Sequence, residues 1–213
     1  KYYAETIMAV FSLHDALQQK LLPAVTFSAA EDALPLAEAF LAAGLFVLEI
    51  PFRTAVAAEA VTIIRKAFPE IYVGAGTLLT TGQLQQAINA GAQFGLSPGF
   101  NPTITATANK QAFPFIPGVM TPSEIELAYA SGYPIQKLFP AEQLGGIAFL
   151  KAMQGPYEQL GVQFIPMGGV NVANAKLYAS QKNVIALGGS WLATPELLAA
   201  KQFKQIRENV RIA

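Results

Sequence analysis

Short apolar runs alternate with longer stretches of helical periodicity along the whole chain. Segments such as EDALPLAEAFLAAG and TTGQLQQAINAGA are rich in alanine and place apolar residues at the spacing of a helix face. The apolar runs between such segments predict eight strands, at residues 22–27, 45–50, 71–75, 94–97, 113–116, 135–139, 162–166 and 184–187. A further helix, predicted over residues 5–20, precedes the first strand.

Signals for helix ends support this alternation. Thr121, Pro122 and Glu124 form the pattern of a capping box with proline at the first helical position, and Thr194–Pro195 repeats the proline. Glycine often ends a helix because it adopts the left-handed conformation at no steric cost. Three glycines stand between a predicted helix and the strand that follows it: Gly44, Gly91 and Gly132.

Eight strand–helix units predict an α/β protein, namely a (β/α)₈ TIM barrel with an extra N-terminal helix. Thr77, Ser97, Pro117 and Lys137 lie twenty residues apart, each at or near the carboxyl end of a predicted strand. The alternative is a doubly wound open sheet, although no Gly-x-Gly-x-x-Gly motif opens the first helix. Without a linker or low-complexity segment, residues 1–213 are predicted to form a single barrel domain.

The composition narrows the choice of partners. Apolar residues make up 53% of the chain and charged residues 13%, and the 14 basic and 14 acidic residues balance. This predicts a large buried core and neither a nucleic-acid nor a membrane partner. No apolar run approaches the roughly 18 residues of a membrane span, and the first residues, KYYAETIMAV, lack the apolar core of a signal peptide. We therefore expect a cytoplasmic protein.

The chain has few residues suited to metal or thiol chemistry. Cysteine is absent, and the single histidine, His14, lies in the predicted N-terminal helix, where an exposed or subunit-contact side chain is expected. Zinc sites and histidine-based triads need residues that this chain lacks. We expect neither a metal nor a cofactor, so any catalysis would depend on Lys, Arg, Glu, Asp and hydroxyl groups.

Two charged residues lie within apolar strands. Lys137 is the only one of ten lysines, and Glu49 the only one of twelve glutamates, inside a predicted strand. Burial of an unpaired polar group in a protein costs about 1–3 kcal/mol, and burial of an ion costs more. A charge inside an apolar strand is therefore expected to be paired, neutralised or required for function. A buried ion pair, or a position at exposed strand ends, would explain both residues without function.

Barrel geometry favours a catalytic explanation. Both residues lie near the carboxyl ends of their strands, which is where the active sites of this fold are found. Burial disfavours the charged form of an amine, and a neutral lysine is a nucleophile toward a ketone. A nearby carboxylate can then carry protons, as imine formation and carbon–carbon cleavage both require. Lys137 and Glu49 are thus candidates for nucleophile and base.

Other strand ends offer anion-binding groups. Arg53 and Thr77 are donors suited to a carboxylate. Two glycine pairs, in PMGGV at 166–170 and in LGGSW at 187–191, end the seventh and eighth predicted strands. Backbone N–H groups at these positions form the usual phosphate seat of such barrels, although a glycine pair alone is also typical of an ordinary turn.

The sequence resembles the class I 2-keto-3-deoxy-6-phosphogluconate (KDPG) and 2-keto-4-hydroxyglutarate (KHG) aldolases. The resemblance extends from about Glu5 to the last helix and is carried by VLEIPFRT, VGAGTLL, LSPG, PGVMTPSE, KLFPAE, PMGGV and GGSW. The combination of KLFPAE with LE-x-x-x-RT is specific, whereas the glycine motifs alone are not.

The resemblance implies a homotrimeric barrel that cleaves a 2-keto-4-hydroxy acid to pyruvate and an aldehyde through a Schiff base, without a cofactor. It implies that Lys137 forms the Schiff base and that Glu49 transfers protons. The implied substrate-binding residues are Arg53, Thr77, Pro98, Phe139, Gly168, Gly169, Gly189 and Ser190.

Two departures from the family pattern concern the substrate. Many members have threonine before the paired glycines, where this chain has Met167, and some carry an arginine at the end of the first strand, where this chain has AVTFSAA. Both positions face the distal part of the substrate, so they bear on which aldehyde is released and on selectivity at C4 rather than on imine chemistry.

Two other functions share part of this pattern. A phosphate-binding barrel isomerase or epimerase would have the glycine pairs but would use a paired acid and base without a lysine in a strand. A non-catalytic sugar-acid-binding barrel would use Lys137 and Arg53 only to hold an anion. The presence of both Glu49 and Lys137 at strand ends argues against each.

Overall fold

The computed structural model describes residues 12–213, which form a barrel of parallel strands surrounded by helices. The strands are β1 (Leu21–Pro23), β2 (Val47–Pro51), β3 (Tyr72–Gly76), β4 (Phe94–Leu96), β5 (Phe115–Ile116), β6 (Gly118–Val119), β7 (Ile135–Leu138), β8 (Gln163–Pro166) and β9 (Leu187–Gly189). Parallel pairing runs from β2 to β5, from β6 to β8, and between β9 and β1.

Single bridges close this sheet into a barrel. Ala24 pairs with Glu49 between β1 and β2, and Phe164 pairs with Val184 between β8 and the approach to β9. The backbone N–H of Val25 donates to Glu49 O at 2.8 Å, and that of Ile185 donates to Phe164 O at 3.0 Å. The expected TIM barrel is therefore confirmed, and the open-sheet alternative is not supported.

The fifth strand of the barrel consists of two pieces. The sequence predicts one strand over residues 113–116, whereas the structure has β5 and β6 separated by Pro117. Proline has no N–H to give to a neighbouring strand, so it interrupts the ladder. Its carbonyl still accepts a hydrogen bond of 2.9 Å from the Lys137 N–H, which keeps the two pieces in one barrel position.

Helices cover the outside of the barrel and follow the strands in order. They are α1 (Leu13–Leu17), α2 (Ala33–Leu41), α3 (Ala57–Ala67), α4 (Thr81–Ala90), α5 (Pro102–Lys110), α6 (Pro122–Ala130), α7 (Gly146–Tyr157), α8 (Ala175–Ala179), α9 (Pro195–Ala199) and α10 (Phe203–Ile212). The capping box at Thr121 and Glu124 forms as predicted, and Gly44, Gly91 and Gly132 all have positive φ.

The extra N-terminal helix is shorter than predicted among the described residues. It was expected over residues 5–20, and α1 covers Leu13–Leu17, while positions 5–11 of the prediction lie outside the described residues. Ser12 and Asp15 cap its start. His14 is exposed on it and lies 2.9 Å from the Gln18 amide nitrogen, as expected for a surface residue.

The core lies in the barrel and between strands and helices. Large apolar side chains that are almost fully buried come from both layers, for example Phe27, Phe40, Phe94, Phe164 and Leu48. Within residues 12–213, no helix combines the length and the apolar character that a bilayer span requires.

Candidate active site

Lys137 and Glu49 meet inside the barrel. Lys137 lies on β7 and is 6% exposed, and Glu49 lies on β2 and is 1% exposed. These strands are not neighbours, yet Lys137 Nζ is 3.7 Å from Glu49 Oε1. The two side chains therefore extend toward each other across the interior, and a position at exposed strand ends is excluded.

A glycine provides the space for the Glu49 carboxylate. A Cβ added at Gly76, the last residue of β3, would overlap Glu49 Oε1 and crowd its Cδ and Cγ. Glu49 Oε2 is buried and has no hydrogen-bond partner among the described residues. The carboxylate thus rests on backbone at one side and has a free oxygen at the other. The sequence did not predict a role for Gly76. A glycine within a strand often marks the close approach of another group, and this was the sequence feature that could have identified it.

Phe139 and Pro98 lie close to the lysine. Lys137 Nζ is 5.2 Å from the centroid of the Phe139 ring, a distance at which the ring face can interact with a positive charge on this nitrogen. Gly118 on β6 is the registered neighbour of Lys137. A Cβ at Gly118 would overlap the carbonyl of Pro98, so this glycine allows the Pro98 backbone to approach the strand beside the lysine.

Arg53 lies at the end of β2 and reaches the end of β1. Its Nη2 donates to Thr26 Oγ1 at 2.9 Å, and among residues 12–213 it makes no ion pair within 4.0 Å. Arg53 is exposed at the mouth of the barrel. Thr26 is a contact that the sequence analysis did not anticipate.

Thr77 follows β3 in a conformation that is unusual for its residue type. Its φ is +56°, in the left-handed region where a β-branched residue is costly, by about 1–3 kcal/mol. Such backbone is retained where the surrounding structure over-determines it, most often at functional sites. Thr77 is partly buried, directly after the glycine on which Glu49 rests.

The glycine pairs present backbone donors at the ends of β8 and β9. Within the described part of the chain, the N–H groups of Gly168, Gly169 and Ser190 have no acceptor. Gly168 and Gly169 both have positive φ, and the Gly169 carbonyl accepts from the side-chain amides of Asn171 and Asn174. Helix α8 starts only at Ala175, so the free donors belong to the turn itself and not to a helix terminus.

Met167 narrows the space between these two turns. It is 3% exposed, and a Cβ at Gly188 would overlap the end of its side chain. Registered neighbours on parallel strands share a face, and Ile165 registers with Lys137. By strand alternation Met167, two residues further, points to the same interior face, next to Gly188 and Gly189.

Two surface pockets among the described residues are open to solvent. A cavity of about 760 Å³ lies between α2 and α10 and is lined by neither Lys137 nor Glu49. Another of about 250 Å³ lies at the ends of β3 and β4 and is lined by Pro98, Phe100 and Leu79. No group of three or more metal-ligating side chains of the His, Cys, Asp and Glu types occurs within residues 12–213.

Known proteins share both the sequence and the fold. The family described as KDPG and KHG aldolase matches residues 14–209. The 2-dehydro-3-deoxy-phosphogluconate aldolase of Treponema pallidum is 42% identical over 198 residues, which cover 92% of this chain and 93% of the relative. The KHG/KDPG aldolase of Escherichia coli K12 is 40% identical over 193 residues, covering 91% and 90%.

A solved structure supports the same assignment. The KDPG aldolase from Legionella pneumophila, with pyruvate captured at low pH as a covalent carbinolamine intermediate, superimposes with a TM-score of 0.89 at 38% sequence identity. The superposition covers 93% of this chain and 96% of that one. This chain therefore belongs to the KDPG and KHG aldolase family.

Proposed function

We propose that this protein is a class I aldolase that cleaves a 2-keto-4-hydroxy acid to pyruvate and an aldehyde. The observation that carries the proposal is the 3.7 Å approach of the Lys137 amine to the Glu49 carboxylate inside the barrel. With KDPG as substrate the aldehyde is glyceraldehyde 3-phosphate, and with KHG it is glyoxylate. Membership of the family and the pyruvate adduct of the Legionella relative support this chemistry.

The reaction begins at Lys137. The neutral amine attacks the C2 ketone to give a carbinolamine, which takes up a proton from solvent and loses water to become a protonated Schiff base. That proton returns to solvent when the Schiff base is finally hydrolysed. Lys137 is almost fully buried, so its amine faces the barrel interior, where the ketone would bind. The Phe139 ring, 5.2 Å from the amine, offers its π face to the positive charge of the iminium.

Glu49 then moves the protons. Its carboxylate, directly or through a water, takes the proton of the C4 hydroxyl, the C3–C4 bond breaks, and the electron pair enters the iminium to give an enamine. The aldehyde leaves, protonated Glu49 returns its proton to C3, and water releases pyruvate from Lys137. The unpartnered Oε2 of Glu49 is the oxygen free to serve the substrate.

The remaining residues bind the two ends of the substrate. Arg53, whose described side-chain partner is the neutral Thr26 hydroxyl, holds the C1 carboxylate together with Thr77. Pro98 lines the pocket beside the lysine. The free N–H groups of Gly168, Gly169 and Ser190, with the adjacent Gly189, receive the phosphate or carboxylate at the distal end.

Trapping with borohydride tests the imine. Incubation with pyruvate and sodium borohydride should add one carboxyethyl group per chain, and peptide mapping should place it on Lys137. Borohydride without pyruvate, and the Lys137→Ala variant with pyruvate, are the controls. A label confined to other lysines, or no label at all, would refute the aldolase assignment.

A coupled assay distinguishes an aldolase from the alternatives. Release of pyruvate from KDPG or KHG, followed with lactate dehydrogenase, should accompany the trapped adduct. A binding barrel would release no pyruvate, and an isomerase or epimerase would convert its substrate without trapping. EDTA should leave the rate unchanged, because no residue of the proposed mechanism needs a metal.

The assembly and location stay proposals as well. We expect a homotrimer of single-domain chains spanning residues 1–213, located in the cytoplasm. Exposed Leu79, beside the partly buried Phe100 at the ends of β3 and β4, offers an apolar surface for a second copy. Light scattering of the purified protein should give three times the chain mass.

A further inference from the structure

A buried tyrosine and an exposed glutamate lie next to the turn that carries the free N–H groups. Tyr178, on α8, is fully buried, and its hydroxyl donates a hydrogen bond to Glu142 Oε1. Glu142 follows β7 in the segment KLFPAE and is exposed apart from this contact. Burial, with the adjacent carboxylate, raises the pKa of Tyr178, so its hydroxyl keeps its proton and remains a donor.

Glu142 also contacts the Gly168–Gly169 turn directly. Its backbone N–H donates to Gly168 O at 3.1 Å. A Cβ at Gly169 would overlap the Cβ and Cγ of Glu142, so the glutamate stem packs against the backbone of this turn. Gly168 approaches Pro140 from the other side, because a Cβ there would lie 3.1 Å from Pro140 Cα.

Gly146, the first residue of α7, leaves room for the hydrogen bond between Tyr178 and Glu142. A Cβ at Gly146 would lie 2.9 Å from the Tyr178 hydroxyl and 3.0 Å from Glu142 Oε1. Glu142, in the loop after β7, thus contacts the turn after β8 through its backbone N–H and its side-chain stem, and α8 through its carboxylate. One residue therefore connects these three elements.

We propose that Glu142 and Tyr178 are a positioning pair, which holds the Gly168–Gly169 turn in place and thereby sets the affinity for the anionic distal end of the substrate. The inference rests on the proposed function, since it assigns that turn to the distal phosphate or carboxylate. Neither residue touches the reacting atoms. The pair acts on substrate binding and leaves imine formation at Lys137 unchanged.

The chain contains a matched control for this pair. Tyr157, on α7, is also buried, and its hydroxyl donates to Glu126 on α6 at 3.0 Å. Glu126 is exposed, as Glu142 is. The two tyrosine–glutamate pairs have the same chemistry, but the Tyr157–Glu126 pair connects two outer helices away from the turn.

The experiment compares Tyr178→Phe with Tyr157→Phe in the full-length protein. Tyr178→Phe should raise KM for KDPG by about five- to tenfold, the loss expected for one hydrogen bond, with kcat changed less than about twofold. The rate of borohydride trapping with pyruvate, which lacks the distal end, should not change. Tyr157→Phe should alter none of these three quantities. An unchanged KM for Tyr178→Phe would overturn the proposal.

A second pair of variants separates position from charge. Glu142→Gln keeps an oxygen that accepts from Tyr178, so its KM should stay within about twofold of wild type, whereas Glu142→Ala should match Tyr178→Phe. If Gln and Ala change KM equally, the carboxylate acts by its charge and the positioning role is wrong. Because Glu142 is exposed, these variants also carry the test if Tyr178→Phe does not fold.

The outcomes distinguish this inference from the proposed function. Absence of a pyruvate adduct in the wild-type protein would refute the aldolase assignment. A wild-type protein that traps pyruvate and cleaves KDPG, with the Tyr178 and Glu142 variants unchanged, would refute only the positioning pair.

Discussion

The barrel interior and the outer helix layer each contain a lysine next to carboxylates, and the two arrangements differ in every respect. On the outside, Lys201 contacts both Glu31 and Asp32, at 3.2 Å from Glu31 Oε1, and half of its side chain is exposed. Inside, Lys137 and Glu49 are almost fully buried and yet 3.7 Å apart, and one oxygen of Glu49 has no hydrogen-bond partner within residues 12–213.

The two clusters differ in how completely their charged groups are hydrogen-bonded. The half-exposed Lys201 reaches both the exposed Glu31 and the largely buried Asp32. The two acceptors raise the pKa of Lys201, chiefly through the hydrogen bond with Asp32. In the interior an unsatisfied carboxylate oxygen is expensive, and burial of both charges makes the pair weak evidence for stability. We infer that the outer cluster serves the fold and that the inner pair serves a substrate.

Removal of each lysine is the strongest test of this comparison. Lys137→Ala should abolish both pyruvate trapping and cleavage, because no other amine lies in the barrel interior of the described residues. Lys201→Ala should leave kcat and KM unchanged and lower the melting temperature slightly. The measurements are the coupled assay and thermal unfolding followed by circular dichroism.

A volume control accompanies this test. Lys137→Met fills the space of the lysine stem without an amine and should be equally inactive while remaining folded. Activity above a few per cent in either variant would show that the interior lysine is not the nucleophile.

Glu49→Gln should have the next largest effect. The amide fits the space left by Gly76 but cannot take a proton, so kcat should fall by roughly 10²–10⁴-fold, as for the loss of a general acid–base. Pyruvate should still be trapped on Lys137, though more slowly. Wild-type turnover of this variant would contradict the role assigned to Glu49.

Gly76→Ala should displace the carboxylate without removing it. The added Cβ would overlap Glu49 Oε1, so the carboxylate must shift, and misplacement by about 1 Å is enough to cost up to ~10²-fold in rate. Gly155→Ala is the matched control, because no atom lies within 4 Å of a Cβ there and the residue is exposed on α7. Equal rates in the two variants would show that the position of Glu49 is not critical.

Met167→Thr should have the smallest effect, and on selectivity alone. A hydroxyl beside Gly188 can bond to a sugar hydroxyl or phosphate, which methionine cannot, and one hydrogen bond contributes about 1 kcal/mol. The ratio of kcat/KM for KDPG over that for KHG should rise severalfold. An unchanged ratio, together with a wild-type preference for KDPG, would mean that Met167 only fills the core.

Most of the fold could be predicted from the sequence because strand and helix periodicities are strong here. The eight predicted strands all correspond to barrel strands. The errors lie where local backbone chemistry decides the boundary. Pro117 divides the fifth strand, and the eighth begins at Leu187 instead of residue 184, because Val184 makes only a single bridge to Phe164.

The candidate site was predictable only in part. An apolar strand with one charge is visible in a sequence, which is why Lys137 and Glu49 stood out, and the structure brings their side chains together. The supports of the site are not visible in this way. Gly76, Thr26 and Glu142 act through contacts between elements far apart along the chain, and the residue types themselves are common at turns and strand ends.

Because the side-chain partner of Arg53 is neutral, we expect the rate of substrate capture to depend on ionic strength. Arg53 is exposed at the mouth of the barrel, and its side-chain partner, the Thr26 hydroxyl, carries no charge. The formal net charge of the whole protein is zero. Under the proposed function, Arg53 attracts the anionic keto acid, and salt screens this attraction within about 8 Å at physiological ionic strength. Added salt should therefore slow capture of dilute substrate, whereas the buried exchange between Lys137 and Glu49, out of reach of the counterions, should proceed at the same rate once the substrate is bound.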